Sequence, residues 1–145
     1  SRVKELYNLK VINMDNILNY PTELLLLLFL IITFLQSALD KILDWKGNLS
    51  WLKSHFSKTP FKNMVPFLLG TVMVTEIVAG ILCAIGLFLL IVQGDGSIAL
   101  AGAILSCLAL LMLLFGQRMA KDYDGARTIA IYFMPAIFLV FLLHS

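Results

Sequence analysis

The residue with the clearest chemical potential is Glu76, in the run MVTEIVAGILCAIGLFLL. It is the only formally ionisable acid or base deep inside any apolar stretch of the chain. A carboxyl group in the hydrocarbon layer costs several kcal/mol, so it must be protonated, hydrogen-bonded or paired, and it must face other helices rather than lipid. Thr75, Gln36, Ser106 and Tyr132 are the partners that the sequence offers. Glu76, Gln36 and Tyr132 therefore form a candidate intramembrane polar site. Two uses follow from the chemistry. The carboxyl either handles a proton or binds a quinone or similar headgroup, or it serves as a buried polar clasp that sets helix register.

A second group of residues gathers where apolar runs end. Gln36 lies one turn before Asp40 and Lys41, and Asp40 and Asp44 are four apart on one helical face, where like charges repel unless basic groups join them. The segment GQRMAKDYDGAR supplies such groups on the same membrane side. Gln36, Asp40, Lys41, Asp44, Gln117, Arg118, Lys121 and Asp122 thus form a candidate interfacial polar cluster. It reads as a pocket for a headgroup or a partner's loop, or as solvated helix ends. No metal site is expected, because His55 and His144 have no ligand spacing, and Cys83 and Cys107 lie in separate apolar runs without a CxxC. No phosphate loop or nucleophile elbow is present, so no cofactor is expected, a quinone being the alternative.

These residues have to be positioned by membrane helices. Of the 145 residues, 60% are hydrophobic and 14% charged, against roughly a half and a quarter in soluble domains. A chain this short cannot hide the surplus in a core. Crossings of about 20 apolar residues are expected over 21–39, 64–92, 98–116 and 126–143, with Pro21 in a first turn and Pro135 as a kink site. The fold class is all-α, an integral membrane four-helix bundle with a short interfacial helix between its first and second crossings. In that interfacial stretch, GNLSWLKSHFSKTPFKN, Trp51, Leu52, His55 and Phe56 recur at helical spacing between lysines. Residues 1–20 form a polar N-terminal segment with Met14 as an alternative start, and residues 21–145 form the transmembrane domain. The front of the chain lacks signal-peptide features, so the first apolar run is expected to insert and stay.

The turn QGDGS forces an antiparallel hairpin of the second and third crossings. Pairs of small residues four apart, Ala79 with Cys83, Gly80 with Ala84 and Gly102 with Ser106, suit close helix packing, either inside the bundle or against an oligomer or partner. Lys and Arg number eight on the first and third loops (Lys41, Lys46, Lys53, Lys58, Lys62, Arg118, Lys121, Arg127) and three at the opposite face (Arg2, Lys4, Lys10). The positive-inside rule then places loops 1 and 3 in the cytoplasm. A net charge of +2 with dispersed lysines argues against a nucleic-acid partner.

The runs LQSALDKILDWKGNLSWLKSHF, MVTEIVAGILCAIGLFLL and GQRMAKDYDGARTIAIYF together resemble the DoxX family of small four-helix bacterial membrane proteins, over Leu24 to Leu143. The resemblance rests on Ala38, Asp40 and Lys41 at the first helix end, on Glu76, Gly80 and Gly86 in the second, and on Lys121, Asp122, Tyr123, Gly125 and Ala126 in the closing block. Ser37 stands where family members often carry glycine. The resemblance implies four helices in the bacterial inner membrane, in a family whose members are linked variously to thiosulfate:quinone oxidoreduction as a small subunit, to membrane redox complexes and to no known reaction. The expected role is a non-catalytic accessory subunit of a larger inner-membrane respiratory or quinone-linked complex. The alternative is the small subunit of a thiosulfate:quinone type oxidoreductase that binds quinone or substrate itself.

Overall fold

A computed structural model describes the backbone of residues 2–145 and the side chains of residues 2–5 and 14–145. Six helices follow one another: α1 (Arg2–Asn19), α2 (Pro21–Leu43), α3 (Trp45–His55), α4 (Val65–Gln93), α5 (Ser97–Met119) and α6 (Tyr123–His144). Four of them, α2, α4, α5 and α6, are long and apolar enough to cross a membrane, with mean hydropathies of 2.1, 2.5, 2.7 and 2.0 over an 18-residue stretch of each. The chain is a multi-pass membrane protein built as a four-helix bundle.

Burial follows the polarity logic of lipid rather than water. Leu25, Ile32, Phe67, Phe88, Ile104 and Phe141 are exposed, each on a membrane-length helix. The inner face of α2 is the stripe Leu24, Leu27, Leu30, Phe34 and Ala38, spaced three or four residues apart as a single helix face requires. Facing it, α4 and α5 bury mainly small residues: Ala79, Gly80, Cys83 and Gly86 from one, and Ala99, Gly102, Ala103 and Ser106 from the other. A Cβ on Gly102 would lie 2.8 Å from the Cys83 backbone nitrogen, and one on Gly80 would strike the Leu35 side chain. The small pairs therefore serve close packing within the bundle, α4 against α5 and α4 against α2.

Local chemistry sets the helix ends. Pro21 and Pro66 stand in first turns, where a missing N–H costs nothing. Gly94 closes α4 in the left-handed conformation (φ 67°), the backbone state that glycine adopts without a Cβ penalty. In α6 the helix begins three residues before the expected 126, because the Asp122 carboxylate accepts from the Gly125 N–H at 2.9 Å and caps the first turn. The same helix continues through Pro135. The N-terminal segment is helical too, and Asn16 Nδ2 donates to the Ile91 carbonyl at 2.8 Å, fastening α1 to the last turns of α4.

Asp95, in the hairpin turn, accepts from Ser97 Oγ at 2.7 Å and from the Ser97 backbone N–H at 3.0 Å. The hydroxyl bond, followed by the backbone bond, holds its carboxyl below the usual carboxylate range. A depressed folded pKa means that the contribution is complete above the ordinary aspartate range and is lost as pH falls through the lowered value. Wild type and Asp95→Asn are therefore expected to differ in unfolding midpoint at neutral pH and to converge on strong acidification. Parallel curves down to the lowest pH would show that the turn does not use the charge.

Candidate functional site

The inward stripe of α2 continues past Ala38 by three residues to Lys41, in the last turn of the helix. From there the lysine stem turns inward along the apolar surface instead of outward to the headgroups, an arrangement available to a long side chain with one charged end. Its Nζ donates to Glu76 Oε2 at 3.1 Å and to Oε1 at 3.3 Å, and to Ser37 Oγ at 2.6 Å. The Glu76 side chain is 1% exposed and that of Lys41 16%. An ion pair thus sits between α2 and α4, with the serine one turn above holding the ammonium in place.

The pairing corrects the partners expected for Glu76. Thr75 spends its hydroxyl on the Thr71 carbonyl of its own helix at 2.8 Å, and Ser106 spends its own on the Gly102 carbonyl at 2.7 Å, with Cys83 Sγ 3.8 Å away. Gln36 and Tyr132 do not hydrogen-bond the carboxylate, but they share a cavity with it. That cavity, of about 300 Å³, lies where α2, α4, α5 and α6 meet and is lined by Gln36, Ser37, Asp40, Glu76 and Tyr132 among apolar neighbours such as Phe34 and Leu110. Tyr132 is set against α2 by stacking on Phe29, with ring centroids 6.0 Å apart. An amide, a phenol and two carboxylates therefore face one partly open space.

The eight residues expected to form one interfacial cluster are divided among separate tasks. Lys41 belongs to Glu76, while Gln36 and Asp40 belong to the cavity. Asp44 caps α3, accepting from the Gly47 N–H at 3.3 Å. Gln117 and Asp122 meet a residue to which the sequence assigned no such part: His55 Nε2 lies 2.9 Å from Gln117 Oε1 and 3.6 Å from Asp122 Oδ2, and its ring stacks on Trp51 at 4.5 Å. This contact anchors the end of α3 to the α5–α6 turn. Arg118 covers the ring of Tyr123 at 4.9 Å, and Lys121 takes the left-handed turn conformation (φ 59°) with its side chain exposed. The division has a geometric cause. Residues at the ends of different helices share a membrane level, yet each is turned about its own axis by the packing of the helix that carries it.

Cys83 and Cys107 are buried free thiols. Among the described residues no group of three His, Cys, Asp or Glu side chains could hold a metal ion. The chemistry on offer is hydrogen bonding and charge: a fixed carboxylate–ammonium pair beside a cavity able to donate to and accept from a small polar headgroup. No family model, no curated protein and no solved structure matches the chain.

Proposed function

We propose that this chain is a DoxX-like protein of the bacterial inner membrane that acts as a non-catalytic accessory subunit of a larger respiratory or quinone-linked redox complex. The observation that carries the reading is the use made of Glu76. Its carboxylate is bound through both oxygens by Lys41, and Lys41 by Ser37, so the charge is committed to holding two helices in register, a role for buried polar groups with good precedent. The DoxX-like block around Lys121 to Ala126 supports the same reading, with Asp122 capping α6 and Gly125 in a place where a Cβ would strike Asp122 and Gln117. In this reading α3 and the turns after it would lie on the membrane surface, with Trp45 and Trp51 as interface anchors.

Extraction in a gentle detergent followed by mass spectrometry of the co-purifying proteins tests the proposal. Stoichiometric membrane partners with redox cofactors of their own are expected. Recovery of a small monodisperse particle with no partner would overturn it. Loops 1 and 3 face the cytoplasm in this reading, so in a background lacking Cys83 and Cys107, a membrane-impermeant thiol reagent on intact cells should modify a cysteine placed at Gln93 and spare one at Ser54. The reverse pattern would invert the topology.

A second reading, a small oxidoreductase subunit that binds quinone itself, is favoured by the cavity between Gln36, Asp40, Glu76 and Tyr132. It requires Tyr132→Phe and Gln36→Leu to leave assembly intact and to lower quinone-linked turnover of the host complex. Unchanged turnover in both variants would leave the accessory role as the remaining one.

A further inference from the structure

A larger groove lies on the other side of the Lys41–Glu76 pair, between α3 with the turns that follow it and the outer faces of α4 and α5. Its volume is about 810 Å³, within the roughly 300–1,000 Å³ of small-molecule sites. Leu52, Phe56, Leu68, Val72, Leu108 and Met112 give it a mostly apolar lining. Most polar groups on its wall are already engaged: Lys41 with Glu76, Asn48 with the Asp44 carbonyl, Gln117 with His55, and Thr71 and Thr75 with carbonyls of their own helix. What remains on offer is apolar surface, and Leu108 and Met112 are exposed, so the groove opens onto the lipid-facing wall of the bundle.

The segment that walls this groove on one side carries charge of one sign. From Trp45 to Thr75 the chain contains Lys46, Lys53, Lys58 and Lys62 and no aspartate or glutamate. All four lysines are exposed, and none forms an ion pair among the described residues. Lys53, Lys58 and Lys62 alternate along the chain with Leu52, Phe56 and Phe61, which line the groove. The same short segment thus presents a hydrocarbon wall and a row of uncompensated ammonium groups beside it.

We propose that this groove seats one acyl chain of an anionic phospholipid whose headgroup is held by Lys53, Lys58 and Lys62. A bilayer supplies both halves of such a ligand together, and each basic side chain near the surface adds to anionic-lipid affinity. The zwitterionic lipids that share the bilayer offer the same chains without the net charge, so the lysines set the preference.

The variant Trp45→Phe leaves Trp51, on the groove wall, as the sole tryptophan. It is reconstituted into phosphatidylcholine vesicles with either brominated phosphatidylglycerol or brominated phosphatidylcholine at equal mole fraction, and quenching of Trp51 reads occupancy. Phosphatidylglycerol is expected to associate at least about tenfold more strongly. Changing Lys53, Lys58 and Lys62 together to Gln should bring the two lipids level, and changing them to Arg should keep the preference. Thr71→Phe, at an exposed groove position, should remove most of the selective quenching with the lysines intact. Equal quenching in the parent protein would overturn the proposal. So would a preference that survives Thr71→Phe, which would place the lipid in the headgroup layer alone, or quenching by neither lipid, which would mean that the groove is closed to lipid, as a partner's helix would close it.

Discussion

Methionine in place of Lys41 is expected to destabilise the bundle by about 3–5 kcal/mol, the cost of leaving one half of a buried ion pair without its partner. The stranded group would be Glu76, whose side chain is 1% exposed and has no other cation within ion-pair distance among the described residues. Glu76→Gln should be milder, about 1–3 kcal/mol, because the amide oxygen still accepts from the ammonium, and Lys41, at the end of its helix, can swing toward the headgroups. Arginine at position 41 retains the charge and should recover part of the loss. The double change Lys41→Met with Glu76→Leu should recover most of it, since apolar replacement of a whole buried pair is often neutral. Unfolding midpoints in mixed micelles of wild type, Lys41→Met, Glu76→Leu and the double variant close a double-mutant cycle that measures the coupling, with Glu76→Gln and Lys41→Arg beside it. A Lys41→Met protein as stable as wild type would show that the pair does not hold α2 to α4.

The second large effect is expected on the seam between α4 and α5. A Cβ on Gly86 would fall against the backbone of Ala99, which cannot rotate out of the way, whereas one on Gly70, in the same helix, would meet nothing within 4 Å. Alanine at position 86 should therefore cost in the upper part of the about 1–3 kcal/mol typical of overpacking. At position 70 it should be neutral or stabilise by up to about 1 kcal/mol, because it reduces the backbone freedom lost on folding. The contrast between two identical substitutions sixteen residues apart controls for helix propensity. Equal effects at both positions would mean that the helices are not in contact at Ala99.

The crossings were legible because hydropathy reports directly on the solvent that a helix must face. The four apolar runs became α2, α4, α5 and α6, with ends displaced by a few residues where a local bond intervened, as Asp122 does for α6. Small residues four apart also located the tight seam. The candidate site was less legible. Glu76 could be singled out by its cost, but its partner lies thirty-five residues away on another helix, and Lys41 reads as a headgroup lysine when judged by its neighbours Asp40 and Asp44. A signal was present in the stripe Leu27, Leu30, Phe34 and Ala38, which reaches Lys41 if extended by one step. The contact of His55 with Gln117 had no such signal, since it depends on how α3 folds back over the end of α5.

The placement of the lysine and the glutamate on different crossings also bears on biogenesis. Each crossing has to enter the bilayer before the two can meet, and α4 carries its carboxyl within the second most apolar stretch of the chain, at a mean hydropathy of 2.5. The insertion cost of one acidic residue, about 2.5–3.5 kcal/mol at mid-membrane, is offset by the many Leu, Ile, Val and Phe residues beside it, each contributing about 0.3–0.6. Partitioning by the translocation machinery and docking of the helices are then separate events, with the electrostatic contact made only in the second. Substitutions at Lys41 should accordingly leave membrane targeting and yield of inserted chain unchanged while exposing the protein to quality-control proteolysis, so that its effect in cells is read in lifetime rather than in location.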